Sequence, residues 1–350
     1  MSHFSFPNSG FGTIFVGIYS NSRLMKYRLA LFLLLIVITG AYSCTKEEDP
    51  DSTSGLYDLY IYDLSTATNT NITNSLKIIE YPQSFSTDGK KVLYKTVEGV
   101  FTVNIDGTDS QILIPVAANE KSDMELSPNG NEYAYSKDGV LYLMNSDGTN
   151  ERRLTNYNFK IWRPIWSKDG KYVASSADNG IVIVNMDGNI ELITPDKPAG
   201  WYDWSSDSKK LAYSKYDNDK YPQVFVFDIV TKNENKLTSS QLYSRNSFWR
   251  PESEDIVFTS SKSDYGSDLI LMSSGGTVQK TILHQLRIDS PAWSPDGNKI
   301  AFINENSDLA LIDPDGSNYK VLNNIPGACM QPIWSPDSKY ILYYRAIFYN

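Results

Sequence analysis

Histidine and cysteine are nearly missing from this chain: its 350 residues hold two of each. His3 falls in the leader described below, which leaves His284 as the sole imidazole of the body. One imidazole cannot build a multi-histidine metal site. Cys44 and Cys329 allow one bridge at most, and no CxxC occurs, so a disulfide framework is excluded. No G-x-S-x-G is present either, which removes the nucleophile elbow of an α/β-hydrolase. Clusters of Lys and Arg are missing too. The formal net charge is −9, and the segment before Cys44 contains three bases and no acid, so its removal takes the balance to −12. An acidic body without a basic patch argues against nucleic acid or anionic lipid surfaces as partners. From Gly55 onward, helical periodicity is absent as well.

What is present is aromatic and β-compatible. The chain is 41% hydrophobic and 13% aromatic, with 24 Tyr and 7 Trp, ample for a large core.

The N-terminus reads as an export leader. Lys26-Tyr27-Arg28 precedes an apolar run, Leu29 to Ile38, and small residues lead up to Cys44. The run is shorter than the roughly 20 residues of a membrane span. Met25 directly before Lys26 suggests that residues 1–24 are an over-extended start within a signal peptide of residues 1–43. Cys44 at the cleavage point resembles the lipobox cysteine of bacterial lipoproteins, although Ala41 and Tyr42 depart from that pattern; ordinary cleavage after Ser43 is the alternative. Residues 44–55 then form a polar linker containing Lys46-Glu47-Glu48-Asp49, which resembles a surface-export signal. The expected location is the cell envelope, lipid-anchored to the outer membrane.

Residues 56–350 repeat one sentence. Trp293-Ser294-Pro295-Asp296-Gly297-Asn298-Lys299 reads as a strand end and a type I turn, followed by a new apolar run, Ile300 to Ile303. Copies stand at Trp166-Ser167-Lys168-Asp169-Gly170 and at Trp334-Ser335-Pro336-Asp337-Ser338. The anchor position is held by Phe85, Leu126, Trp166, Trp204, Trp249, Trp293 and Trp334, spaced roughly 40 residues apart, the period of four-stranded propeller blades. Each unit continues with a second strand, a loop, a third strand, a turn such as Asp106-Gly107 or Asp187-Gly188, and a fourth strand ending in Leu-Thr or similar, as at Leu154-Thr155 and Leu237-Thr238. The fifth unit, Trp249-Arg250-Pro251-Glu252-Ser253, keeps Trp and Pro and loses Asp-Gly.

The ends complement each other. The last unit shows two strands, Ile333 to Ser335 and Lys339 to Tyr344, while the body opens on a third-strand pattern, Asp58 to Asp63, with Asn71 to Thr73 as a fourth. Closing the ring with the N-terminal pair removes two exposed edges. The expected fold is therefore all-β, a propeller of seven four-stranded blades. A third strand at Ala346 to Tyr349 is the competing arrangement.

The aromatic-Ser-Pro-Asp-Gly-Lys anchor resembles the WD-like repeats of the TolB β-propeller family, from about Gly55 to the end. The resemblance implies a propeller. It departs from the family's namesake in having seven anchors rather than six blades and no room for a preceding α/β domain.

In a propeller the anchor turns and Asp-Gly turns share one tight face, so binding is expected on the opposite, loop-rich face. There the longest loops are Lys215 to Tyr221, with Tyr216, and Ser263 to Ser267, with Tyr265. Residues entering each anchor should ring the channel mouth: Tyr81, Asp123, Trp162 with Arg163, Trp201 with Tyr202, Arg245 with Asn246, Arg287 with Asp289, and Gln331. Aromatics beside Arg, Asp and Asn suit a glycan or a gripped protein segment. No catalytic residue, metal or cofactor is expected. His284 reads as structural, Asp313-Pro314-Asp315-Gly316 as turn chemistry rather than a Ca²⁺ loop, and Cys329 as an inert thiol. The expected role is a monomeric, non-catalytic scaffold binding an envelope protein or glycan, with no nucleic-acid partner. The rival is a polysaccharide lyase or glycoside hydrolase, although the propeller lyases for pectic sugars, which this repeat resembles, use several His where the body of this chain has His284 alone.

Overall fold

Each anchor turn folds for a local reason. The Ser294 carbonyl accepts the Gly297 N–H at 2.8 Å, and the Ser294 hydroxyl accepts the Lys299 N–H at 2.9 Å while donating to Asp296 at 2.6 Å. The side chains thus satisfy backbone groups the turn leaves open. In the computed structural model, residues 56–347 are described except 75–77, 116–120, 157–159, 179, 195–197, 217–219, 240, 262–266 and 323–326. The leader, Cys44, the linker and Tyr265 lie outside the described residues.

Seven four-stranded antiparallel sheets follow one another, and no helix occurs among the described residues. Blades one to seven open with the strands Tyr81–Phe85, Lys121–Leu126, Trp162–Trp166, Pro198–Trp204, Tyr243–Trp249, Asp289–Trp293 and Cys329–Trp334. These first strands lie innermost, against the first strands of neighbouring blades. Every expected anchor ends one of them.

The ring closes as the two chain ends suggest. Leu56–Asp63 pairs with Tyr340–Ile347 over eight residues, Leu56 opposite Ile347 and Asp63 opposite Tyr340, and Thr68–Asn71 adds the outer strand. Ala346 and Ile347 therefore prolong the second strand of blade seven instead of starting a third. The outer strand ends at Asn71, earlier than the Asn71 to Thr73 pattern suggests, because Thr73 has a different task. Its hydroxyl accepts the Leu59 N–H at 3.0 Å while the Ile72 N–H donates to the Leu59 carbonyl at 2.9 Å. The same clasp recurs at Thr238 on Val224 (2.9 Å) and Thr194 on Ile181 (2.9 Å), but not at Leu154-Thr155, where the buried Thr155 hydroxyl has no partner.

Between blades the anchors form the joints. The indole N–H of Trp166 donates to the Glu125 carbonyl (3.1 Å), that of Trp204 to Ile165 (3.4 Å) and that of Trp334 to Ala292 (3.0 Å), each reaching into the preceding blade. Trp249 and Trp293 leave this bond unmade, so blade five lacks it on both sides.

The Asp-Gly turns press against neighbouring blades. Gly188 has φ +82°, and a Cβ there would meet the Leu154 carbonyl oxygen at 2.1 Å, whereas Gly170, φ +71°, has nothing within 4 Å. Gly170→Ala is expected to cost about 1 kcal/mol, for backbone strain alone. Gly188→Ala should cost several-fold more, since backbone must move. Urea unfolding of both variants checks this; equal midpoints would contradict it.

Candidate functional site at the loop-rich mouth

On the tight face, the polar groups of the anchor turns are consumed locally. Ser86, Ser167, Ser205 and Ser335 donate to Asp88, Asp169, Asp207 and Asp337 at 2.6–2.8 Å, and the Ser86 hydroxyl holds Asp88 below the usual carboxylate range. Asp313 accepts from Lys299 (3.0 Å) and Asn318 (2.7 Å), and Asp315 from Ser317 (2.6 Å), so these carboxylates too serve their turn. His284 is exposed and contacts Asp268 across the strand pair, and Cys329 is buried in the core. Among the described residues no group of three or more His, Cys, Asp or Glu could hold a metal ion.

The innermost strands share a second device. In every one the register breaks in the residues just before the anchor. The third residue before the anchor is Pro82, Asp123, Arg163, Trp201, Asn246, Ser290 or Gln331 in blades one to seven. Four of these are left-handed: Arg163 (φ 56°), Asn246 (55°), Ser290 (48°) and Gln331 (48°). Left-handed backbone is costly for side chains such as Arg and Gln, and bulges re-aim side chains near functional sites. Five of the seven positions, Asp123, Arg163, Trp201, Asn246 and Gln331, coincide with residues the sequence places around the mouth.

Across blades two to four this belt is continuous. The Arg163 guanidinium lies 4.0 Å from the Trp201 ring centroid, and its Nε stands 3.7 Å from Asp123 Oδ2. Arg163 and Asp123 side chains keep 37% and 62% of their surface, so the pair is open to a ligand. Trp162 and Trp201 are half-buried. Tyr202, expected beside Trp201 at the mouth, is instead buried in the wall, because strand alternation turns it between blades three and four. There its hydroxyl accepts the Ser176 N–H at 2.8 Å and donates to the Arg163 carbonyl, bracing the bulge. Burial pushes the Tyr202 phenol upward.

Two residues beyond Asp123, Glu125 accepts the Trp166 N–H at 2.6 Å. Burial pushes its carboxyl up to about 7 from the ordinary 4.5, against the pull of the Lys168 ammonium and the Trp166 N–H. The folded chain therefore keeps a proton that the unfolded chain releases above pH 4.5, and this group's contribution to stability falls as pH rises towards 7. Glu125→Gln should flatten the thermal midpoint between those values and raise it at pH 8. Parallel profiles for native and variant would contradict the assignment.

Between blades five and six a cavity of about 650 Å³ opens on the loop-rich side. Arg245, Asn246, Arg287, Asp289 and Glu305 contribute to it, so four residues placed at the mouth by sequence meet here. Arg245 lies 5.0 Å over the Tyr243 ring and donates to the Tyr216 hydroxyl at 3.1 Å, while Arg287 pairs with Asp289 at 3.1 Å. Ser261 and Ser267 flank the stretch that carries Tyr265. Tyr81 is 46% exposed and sits apart, edge-on to Tyr344. Gln331 holds the corresponding belt position in blade seven, in left-handed backbone. A second cavity, about 550 Å³, lies at the tight face among Trp204, Phe248, Trp249, Trp293 and the turn prolines 251 and 295, around the joints where the indole bonds are unmade.

Sequence reasoning missed the bulge, the tight-face cavity, and the roles of Tyr243 and Glu305. Of these, only Tyr243 carries a signal in the chain: an aromatic two residues before an Arg already placed at the mouth.

Residues 171–308 match the family described as the TolB beta propeller domain. The propeller is TolB-like. An uncharacterized protein of Agrobacterium fabrum is 22% identical over 300 residues, covering 81% of this chain and 90% of that protein. Dipeptidyl-peptidase 5 of Porphyromonas endodontalis is 25% identical over 251 residues, 62% of this chain, and the chain spans 35% of that longer protein. Among solved structures, a putative TolB from Agrobacterium tumefaciens superposes with a TM-score of 0.55 at 18% identity, covering 85% of this chain and all of that one. An oligogalacturonate lyase from Vibrio parahaemolyticus reaches 0.64 at 12% identity, covering 84% and 97%. At such identities the structural likeness concerns the fold alone.

Proposed function

We propose that this TolB-like propeller is a non-catalytic binding module of the cell envelope, tethered through a lipid on Cys44, that takes a protein segment or a glycan at its loop-rich mouth. The observation that carries the reading is the connected belt Asp123–Arg163–Trp201, an open acid, a stacked guanidinium and an indole from three successive blades. Arg163 occupies left-handed backbone there, and strain of this kind gathers at ligand sites. The tight face offers turn carboxylates already spent on their own serines.

The test is a screen of glycans and solubilised envelope proteins against the full chain, with and without EDTA. Capture of one glycan class or one stoichiometric protein, without turnover and unaffected by EDTA, supports the proposal. Turnover of a captured polysaccharide would replace it with the lyase or hydrolase reading. For the tether, a labelled fatty acid should enter the native protein and be lost in Cys44→Ser; unchanged label would refute lipidation at this residue.

A further inference from the structure

We infer, building on the binding role above, that the ligand at the cavity between blades five and six is a carboxylated sugar, a uronate, whose carboxylate docks on the Arg245 guanidinium.

Three features of the cavity point this way. First, Arg245 is a fixed fork: its plane rests over Tyr243 at 5.0 Å and one Nη donates to the Tyr216 hydroxyl at 3.1 Å. No carboxylate among the described residues pairs with it, and its Nε is buried without a partner. A planar, pre-positioned guanidinium suits a carboxylate that can accept two parallel bonds. With the guanidinium over Tyr243, this corner offers charge in place of a bare stacking platform.

Second, the acids in the cavity are already engaged. Asp289 is held by Arg287 at 3.1 Å, and Glu305 accepts the Leu286 N–H at 3.0 Å. Arg245 is thus the cation left for an incoming anion. Third, the remaining wall carries hydroxyls and amides, from Thr259, Ser261, Ser267, Asn246 and Asn306, beside the apolar Leu286 and Ile288. A peptide anchor seeks a desolvated apolar pocket, whereas a ligand dense in hydroxyl groups finds partners here. The volume, about 650 Å³, falls in the range of small-ligand sites, about 300–1,000 Å³.

Calorimetric titration of the full chain with short oligomers of galacturonate and glucuronate, their methyl esters and a hexaglutamate peptide tests the inference. At least one acid oligomer should bind, with its ester about tenfold or more weaker, and hexaglutamate should not compete. Arg245→Gln should weaken the acid by a similar factor and leave the ester unchanged, while Tyr216→Phe, which only frees the fork, should cost a few-fold. Thermal midpoints within a few degrees of native show that the variants fold. Equal affinity for acid and ester would overturn the carboxylate contact and leave glycan binding standing. Preference for hexaglutamate would overturn the sugar, and failure of both acids to bind would overturn the inference outright.

Discussion

A chain shortened to begin at Ile78 is expected to lose its cooperative thermal transition. The deletion removes Leu56–Asp63 and Thr68–Asn71, the two outer strands of blade seven. It strips out Leu59, Ile61, Tyr62 and Ile72, all at most 3% exposed, whose burial contributes about 6–12 kcal/mol together. That is as large as the whole stability of a typical domain, about 5–15 kcal/mol. The loss falls on two neighbours at once. Leu342, Phe85 and Val92 pack against the removed residues, so blade one loses a wall as blade seven loses a half. Tyr340–Ile347 becomes a naked eight-residue edge strand, prone to pair with other chains. Calorimetry and light scattering should show a broad or missing transition with aggregation. A sharp transition within a few degrees of native would mean the ring does not depend on this closure.

Trp204→Ala is expected to be the most damaging single substitution, at about 3–5 kcal/mol. Trp204 is fully buried, stacks on Tyr172 with centroids 6.3 Å apart, and donates its indole N–H to Ile165 of the preceding blade. It shares a cluster with Ala174, Ile183 and Phe225 from two different blades, so the cavity left behind opens a joint rather than one sheet. Urea unfolding measures the loss; Trp204→Phe, which keeps most of the volume and drops the hydrogen bond, should fall between. A cost under about 1 kcal/mol for the alanine would show that the anchor indoles do not carry the joints between blades.

Much of this architecture is legible in the chain because its signals are short-range. A turn of Ser, Pro, Asp and Gly writes itself within five residues, and its recurrence sets the blade count, with the unmatched strands at the two ends foretelling closure. The belt is different. Its positions can be found by counting back from each anchor, but the left-handed kinks at Arg163, Asn246 and Gln331 follow no residue pattern, since the seven positions hold Pro, Asp, Arg, Trp, Asn, Ser and Gln. Tyr202 shows the cost: it follows Trp201 in sequence, and a bulge followed by strand alternation turns one residue to the channel and the next into the wall. The cavity beside Arg245 is walled by residues of blades five and six together, again a matter of inter-blade fit.

The central claim is that ligands are taken on the loop-rich mouth and that the tight face is structural. It is tested most directly by running the same glycan and envelope-protein screen on two double variants. One replaces the belt pair, Arg163→Ala with Trp201→Ala; the other removes turn carboxylates, Asp296→Ala with Asp337→Ala. The belt variant should fold and lose the captured ligand, while the turn variant, somewhat less stable, should retain it. Retention by the belt variant together with loss in the folded turn variant would place recognition on the opposite face and contradict the account.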